Sequence, residues 1–213
     1  MEMKKGRIEI FSDGVFAITI TIMVLELKVP HEADLSVLKA LLPIFSSYVL
    51  SFINVGIFWN HHHHLFQVVE FIDGKVLWAN LHFLFWITLL PFSSGWMGEN
   101  NFLLWTVILY GIILLMVTIA YAILIKSLLV LHKETSPLTL AVGKDKKIRR
   151  TVLLYIAGIG LAFVSEYIAS ALYLLVAALW LIPDKKIEDK LETEHPSKKE
   201  PEEKNLPSNK YFL

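Results

Sequence analysis

The chain contains no cysteine, which excludes a disulfide framework, a thiolate metal site and a cysteine nucleophile. It carries no net charge: 20 Lys and Arg are matched by 20 Asp and Glu across 213 residues, and no nucleic-acid partner is expected. No phosphate-binding glycine loop, nucleophile elbow or pair of catalytic carboxylates occurs, so the sequence does not read as an enzyme and calls for no cofactor. No internal repeat is visible. A cleaved signal peptide is not expected either. Lys4, Lys5 and Arg7 precede an apolar stretch, but that stretch carries Glu9, Ser12 and Asp13 and reaches Pro30 without a small-residue cleavage site.

Apolar residues are what the chain has in excess. They make up 55% of it, with a mean hydropathy of +0.55. They also fall in blocks of about 17–25 residues, the length that crosses a hydrocarbon core of roughly 30 Å. The predicted spans are 8–27, 35–59, 76–96 and 102–131, followed by a polar loop over 133–150. The last block, 151–183, would make a helix of about 50 Å, too long for one crossing. Ser165 and Glu166 lie near its middle, and a carboxylate costs little at a hairpin tip in water but much in hydrocarbon. Two short helices, 151–164 and 167–183, are therefore expected.

Charge placement supports six crossings. With both termini in the cytoplasm, 18 of the 20 Lys and Arg lie inside, and only Lys28 and Lys39 fall outside. Five crossings would put the seven lysines of the C-terminal tail on the wrong side. Residues 184–213 are rich in Lys, Glu, Pro and Ser and are expected to be a disordered cytoplasmic tail. Residues 1–183 form the transmembrane domain. The chain is expected to be an all-α, multi-pass integral membrane protein with lipid as a partner.

The first span carries the most information. On a helical wheel, Arg7, Phe11, Ile22 and Leu25 fall within about 40° of Ile18, and Thr21 about 60° to its side. Ser12 and Asp13 point elsewhere, near 120° and −140°. An apolar stripe of this kind commonly faces lipid or packs in a core. An intramembrane carboxylate usually finds a partner within the bundle, so Ser12 and Asp13 are expected to join a structural hydrogen-bond network.

The run Arg7-x-x-x-Phe11-Ser12-Asp13, followed by Gly14-Val15-Phe16-Ala17-Ile18, resembles the first-helix motif of the lysosomal potassium channel family, transmembrane protein 175, in its prokaryotic single-repeat form. Trp59-Asn60-His61-His62 with Phe66 resembles the end of that family's second helix, and Asn80-Leu81 with Pro91-Phe92 its third. The resemblance implies a potassium-selective cation channel with six transmembrane helices per subunit. It also implies a homotetramer in the cell membrane, with the first helix lining a central pore and protons as further permeant candidates. It implies a constriction at Ile18, further pore layers at Ile22 and Leu25, and a selectivity role for Thr21. It assigns Arg7, Ser12, Asp13, Asn60, His61, His62, Asn80 and His82 to a structural polar network. No Thr-Val-Gly-Tyr-Gly loop is present, so any selectivity must arise without a carbonyl filter.

Two other features carry weight. The run His61 to His64 admits a metal reading, since His61 and His64 share a helix face and His82 lies on the next span. This makes a histidine-dependent membrane metalloprotein or enzyme the alternative. Hydrogen bonding at the cytoplasmic end and pH sensing are the other readings of the run. Glu26, near the outer end of the first span, is either one carboxylate of a cation-concentrating ring or a solvated helix end. The six-span topology makes a direct prediction: a single thiol introduced at Ser197 is unreachable by an impermeant reagent added outside intact cells. Labelling from outside would overturn it.

Overall fold

The computed structural model describes residues 3–30, 34–132 and 146–181. Most of the loop expected at 133–150 and all of the tail expected at 184–213 lie outside the described residues. Helix α1 spans Gly6–Leu25 and α2 spans Leu35–Gln67. Helices α3, Gly74–Thr88, and α4, Leu90–Glu99, follow. The remaining helices are α5, Leu104–Leu131, α6, Lys146–Leu161, and α7, Glu166–Leu181. A two-residue strand β1, Met3–Lys4, pairs antiparallel with β2, Phe71–Ile72. Among the described residues, four helical segments are long and apolar enough to cross a membrane: α1, most of α2, α3 with α4, and α5. The 16-residue helices α6 and α7 are shorter, about 24 Å each. The chain is a multi-pass membrane protein.

The expected spans correspond to these helices with four differences, one being that α6 begins at Lys146, inside the loop expected at 133–150, because Ile148 is already buried there. Helix α2 does not stop at residue 59 but continues through the histidine run to Gln67, because its inner face stays buried there at His62, Leu65 and Phe66. The third span is two helices: Pro91 has no N–H to donate to the Ile87 carbonyl, and the chain restarts with proline in the first turn of α4, where that donor is not needed. The small ribbon interrupts an otherwise all-α structure. The final block does divide, with Ser165 ahead of Glu166, the first residue of α7.

Helix α5 is the centre of the fold. It packs against α3, α4, α6 and α7, while α1 touches α2, α3 and α4 along one side only. Between α4 and α5 the chain turns through two consecutive left-handed residues, Asn101 (φ 51°) and Phe102 (φ 61°). Asparagine tolerates this region, whereas phenylalanine is strained there. The turn is closed by N–H bonds from Phe102 to the Met97 carbonyl (2.9 Å) and from Asn101 to that of Gly98 (3.1 Å). Gly98 lets α4 approach α2, since a Cβ there would lie 2.7 Å from Ile44 Cα.

Behind α5, Tyr110, Tyr155 and Tyr173 form a fully buried cluster with ring centroids about 6 Å apart. Tyr110 is anchored: its hydroxyl receives bonds from Ser51 Oγ (3.0 Å) and Asn54 Nδ2 (3.3 Å), tying α5 to α2. Tyr173 is held by shape instead. Its ring lies over Gly111 and Gly158, and its buried hydroxyl makes no hydrogen bond among the described residues. A Cβ at Gly111 would meet that hydroxyl, with Cζ at 2.6 Å; one at Gly158 would meet the ring edge, with Cε1 at 2.5 Å. Gly111→Ala and Gly158→Ala should each lower stability by about 1–3 kcal/mol through overpacking. Tyr173→Phe should be neutral or stabilising, because it removes an unsatisfied buried group. It should also recover more of the Gly111→Ala loss than of the Gly158→Ala loss. Thermal unfolding of the detergent-solubilised variants checks this, and equal recovery in both would refute it.

Candidate functional site

Helix α1 has two unlike sides. Ile8, Ser12, Phe16, Thr19 and Met23 are buried against the rest of the chain. Phe11, Ile18, Thr21, Ile22 and Leu25 are exposed, with Ile18 at 61% and Leu25 at 73%. The exposed arc covers about half the helix circumference and includes Ile10, Ala17 and Val24. Thr21 Oγ1 donates to the Ala17 carbonyl at 2.8 Å, which leaves its oxygen lone pairs free on that exposed side.

Ser12 lies at the centre of the buried stripe, and Asp13, about 100° further round, lies at its exposed edge. Each reaches a different helix. Asn80 Nδ2 of α3 donates to Ser12 Oγ at 3.0 Å, and Asn80 Oδ1 lies 2.9 Å from His62 Nε2 of α2. An amide oxygen only accepts, so His62 carries its proton on Nε2. All three side chains are buried, and the His62 ring sits between Phe66 (4.5 Å) and Phe83 (5.9 Å). At the exposed edge, Trp59 Nε1 donates to Asp13 Oδ1 at 2.9 Å, and the indole stacks on His63 at 5.7 Å.

The ends of α1 are also tethered. Lys5 Nζ donates to the carbonyls of Phe66 and Gln67, the latter at 3.1 Å, placing a cation at the C-terminus of α2. Its ammonium also lies 3.7 Å from Glu9. At the far end Lys28 bonds Glu99 at 2.8 Å, and the Glu99 carboxylate holds the Lys28 ammonium above the usual lysine range. Glu26 packs on Gly95, where a Cβ would lie 3.0 Å from its Oε2. Gly95 thus leaves room for a carboxylate folded onto α4.

Several residues expected in one network lie apart. Arg7 is exposed on the Ile18 side of the helix, facing away from Ser12, and no hydrogen bond or ion pair is described for it. Asn60 is exposed on α2, likewise without a described bond. His82 receives a local bond from Trp86 Nε1, one turn on (3.0 Å), and stands outside the His62 network. His61 faces Trp180 of α7, edge to face at 4.6 Å, with Nε2 3.4 Å from its carbonyl. His63 and His64 both meet the Gln67 amide, at 3.0 and 3.2 Å. The histidine run thus radiates to different partners, as successive helical positions must. Among the described residues, no three His, Asp or Glu converge as metal ligands.

Three features had escaped the reading of the chain. Asn54 and Ser51, a polar pair three residues apart inside an apolar span, were the visible sign of the Tyr110 bond. Trp59 was legible as a motif residue but not as the partner of Asp13. The tether at Lys5 had no sequence signal, since it depends on a backbone carbonyl 61 residues away.

Comparison with known proteins adds the rest. The model of the family described as endosomal/lysosomal potassium channel TMEM175 matches residues 7–91, from Arg7 to Pro91. A potassium channel of Chryseobacterium sp. (strain P1-3) is 50% identical over 189 residues, covering 89% of this chain and 98% of that one. The human endosomal/lysosomal proton channel TMEM175 is 38% identical over 80 residues, 32% of this chain and 16% of that one. The crystal structure of a lysosomal potassium-selective channel TMEM175 homolog from Chamaesiphon minutus superposes with a TM-score of 0.69 at 27% identity, covering 83% of this chain and 96% of that one. The near full-length match at half identity, with the motif helix inside the family match, shows that the chain belongs to the TMEM175 family of ion channels.

Proposed function

We propose that this chain is the subunit of a potassium-selective cation channel whose pore is lined by α1, with an apolar neck and no carbonyl filter. The observation that carries the reading is the exposed stripe of Ile18, Ile22 and Leu25 on a helix whose opposite face is bonded into its own subunit. A single α1 encloses nothing, so the stripe needs further copies. The reading takes four around an axis, and the exposed arc, about half the helix, leaves room for both a neighbour and a lumen. Residues 1–183 are the channel domain, in the cell membrane with both termini cytoplasmic. The relative that spans nearly the whole chain is named a potassium channel, whereas the animal proton channels match about a third of it. Potassium therefore comes ahead of protons.

Apolar rings make a neck that water leaves readily, so an ion crossing it sheds part of its hydration shell. Potassium holds that shell less tightly than sodium and crosses at lower cost. Thr21, its proton committed to Ala17, presents oxygen lone pairs beside the Ile18 and Ile22 layers and can replace part of the lost hydration. The polar network contributes orientation, because Ser12, Asn80, His62, Asp13 and Trp59 hold the helix in the rotation that turns Ile18 to the axis. A histidine-bound metal has no such support, because His62 is engaged by Asn80, His61 by the Trp180 carbonyl, and His63 and His64 by Gln67.

Flux into liposomes tests the neck. Ile18→Asn should wet it, raise potassium flux several-fold and lower discrimination against sodium. Ile20→Asn, half-buried against the core, should disturb folding without changing the ion ratio. Wild-type rate and ratio in Ile18→Asn would place the constriction elsewhere. The supporting network is tested separately. Asn80→Ala strands His62 and Ser12 in a buried site at a cost of about 1–3 kcal/mol, and should reduce the yield of assembled oligomer on size-exclusion chromatography. An Asn80→Ala protein of normal assembly but altered selectivity would contradict a purely structural role.

A further inference from the structure

The end of the fold that holds the N-terminus carries a set of contacts which conduction leaves unused. His132 caps the last turn of α5 and is buried. Its Nδ1 lies 2.9 Å from the Leu128 carbonyl, and its Nε2 lies 3.4 Å from the backbone nitrogen of Glu70. Its ring stacks on Phe71 at 4.7 Å and 19°. A carbonyl only accepts and a backbone N–H only donates. The imidazole must therefore donate from Nδ1 and accept at Nε2, which only the neutral ring with its proton on Nδ1 can do. A second proton would sit on Nε2, opposite the Glu70 N–H, and turn that bond into a donor–donor contact.

What this bond holds is the start of α1. Glu70 leads into β2, where Phe71 pairs with Lys4 of β1. The next residue, Lys5, donates to the end of α2, and α1 begins at Gly6. One imidazole at the end of the central helix thus anchors the α2–α3 connection and, through two strand residues, the first turn of α1.

We propose that His132 is a pH-sensitive latch on α1: the neutral ring keeps the β1–β2 clasp closed against α5, and protonation opens it. The consequence for ion flux rests on the proposed role of α1 as the pore lining. The charged groups on the elements meeting the latch are Glu70, with its side chain exposed, and Asp73, whose Oδ1 accepts from the Val76 N–H at 2.9 Å. With them are exposed Lys75 and, opposite Phe71, exposed Lys4, while Lys5 is committed to α2. On α5 itself Lys126 is exposed, and α6, which packs on α5, brings half-buried Lys147 and exposed Arg149 and Arg150. Among the described residues none of these forms a described bond to the imidazole. Its two hydrogen bonds are both to backbone, so its protonation acts on the fold directly and not through an ion pair.

Amide exchange of the purified full-length protein reads the latch with no ion moving. Protection across residues 70–72, corrected for the intrinsic pH dependence of exchange and referred to the α3 core, should fall roughly five- to tenfold between pH 8 and pH 5, the size of one lost hydrogen bond. His132→Gln, whose amide oxygen accepts the Glu70 N–H without titrating, should keep its protection at both pH values. His132→Phe, which can stack on Phe71 but accepts nothing, should lack it at both. Acidifying the N-terminal side in liposomes should change wild-type flux by more than twofold and His132→Gln flux by less. Equal wild-type protection at pH 8 and pH 5 overturns the latch, as does an identical loss in His132→Gln. Neither result bears on Ile18→Asn, so a failed latch and a failed pore assignment remain distinct.

Discussion

In a bilayer the hydrophobic effect does not press one helix against another, because lipid tails are as apolar as leucine side chains. Helix α1 is the element for which this matters most, since it touches the rest of its subunit along one side only. What fixes its rotation is a pair of polar contacts, one at the centre of that side, Ser12 to Asn80 and His62, and one at its exposed edge, Asp13 to Trp59. Turning α1 by even one residue would strand Asn80 and His62 in the buried interior and break the Asp13–Trp59 bond. The direction in which Ile18 points is therefore set by hydrogen bonds on the far side of the helix. The direction of the exposed apolar stripe and the stability of the polar network become the same geometric problem.

The remainder of the subunit serves as a rigid backing for that arrangement. Helix α5 takes the centre, and the small residues let other elements come close: Gly111 and Gly158 against Tyr173, Gly98 against α2, Gly95 against Glu26. Glu26 illustrates how a close approach changes a chemical reading. As a free carboxylate at a helix end it would concentrate cations, but folded onto Gly95, beside the Lys28–Glu99 pair, it is part of the contact between α1 and α4.

The four consecutive histidines show how helical geometry divides a sequence motif. Successive residues turn by about 100°, so a run that looks like one site is distributed over four directions. His62 enters the core, His61 meets α7, and His63 and His64 share Gln67 near the end of α2. His132, isolated in the sequence, is held by two backbone groups from separate parts of the chain.

Period and block length in the sequence by themselves determined the membrane-spanning class, the four long apolar spans, the division at Ser165 and Glu166, and the separation of the apolar stripe of α1 from Ser12 and Asp13. These are local properties: apolar length is set by bilayer thickness, and the faces of a helix by its 100° turn. The motif from Arg7 to Asp13 was likewise legible, and with it the family. Only the tertiary structure decided which polar residues meet. It joined Ser12 to Asn80 and Asp13 to Trp59, left Arg7 and Asn60 exposed, closed His82 onto Trp86, and brought His132 to Glu70. Hydrogen bonds act within about 3 Å and depend on which helices are neighbours. That neighbour relation comes from packing around α5, and no spacing along the chain encodes it.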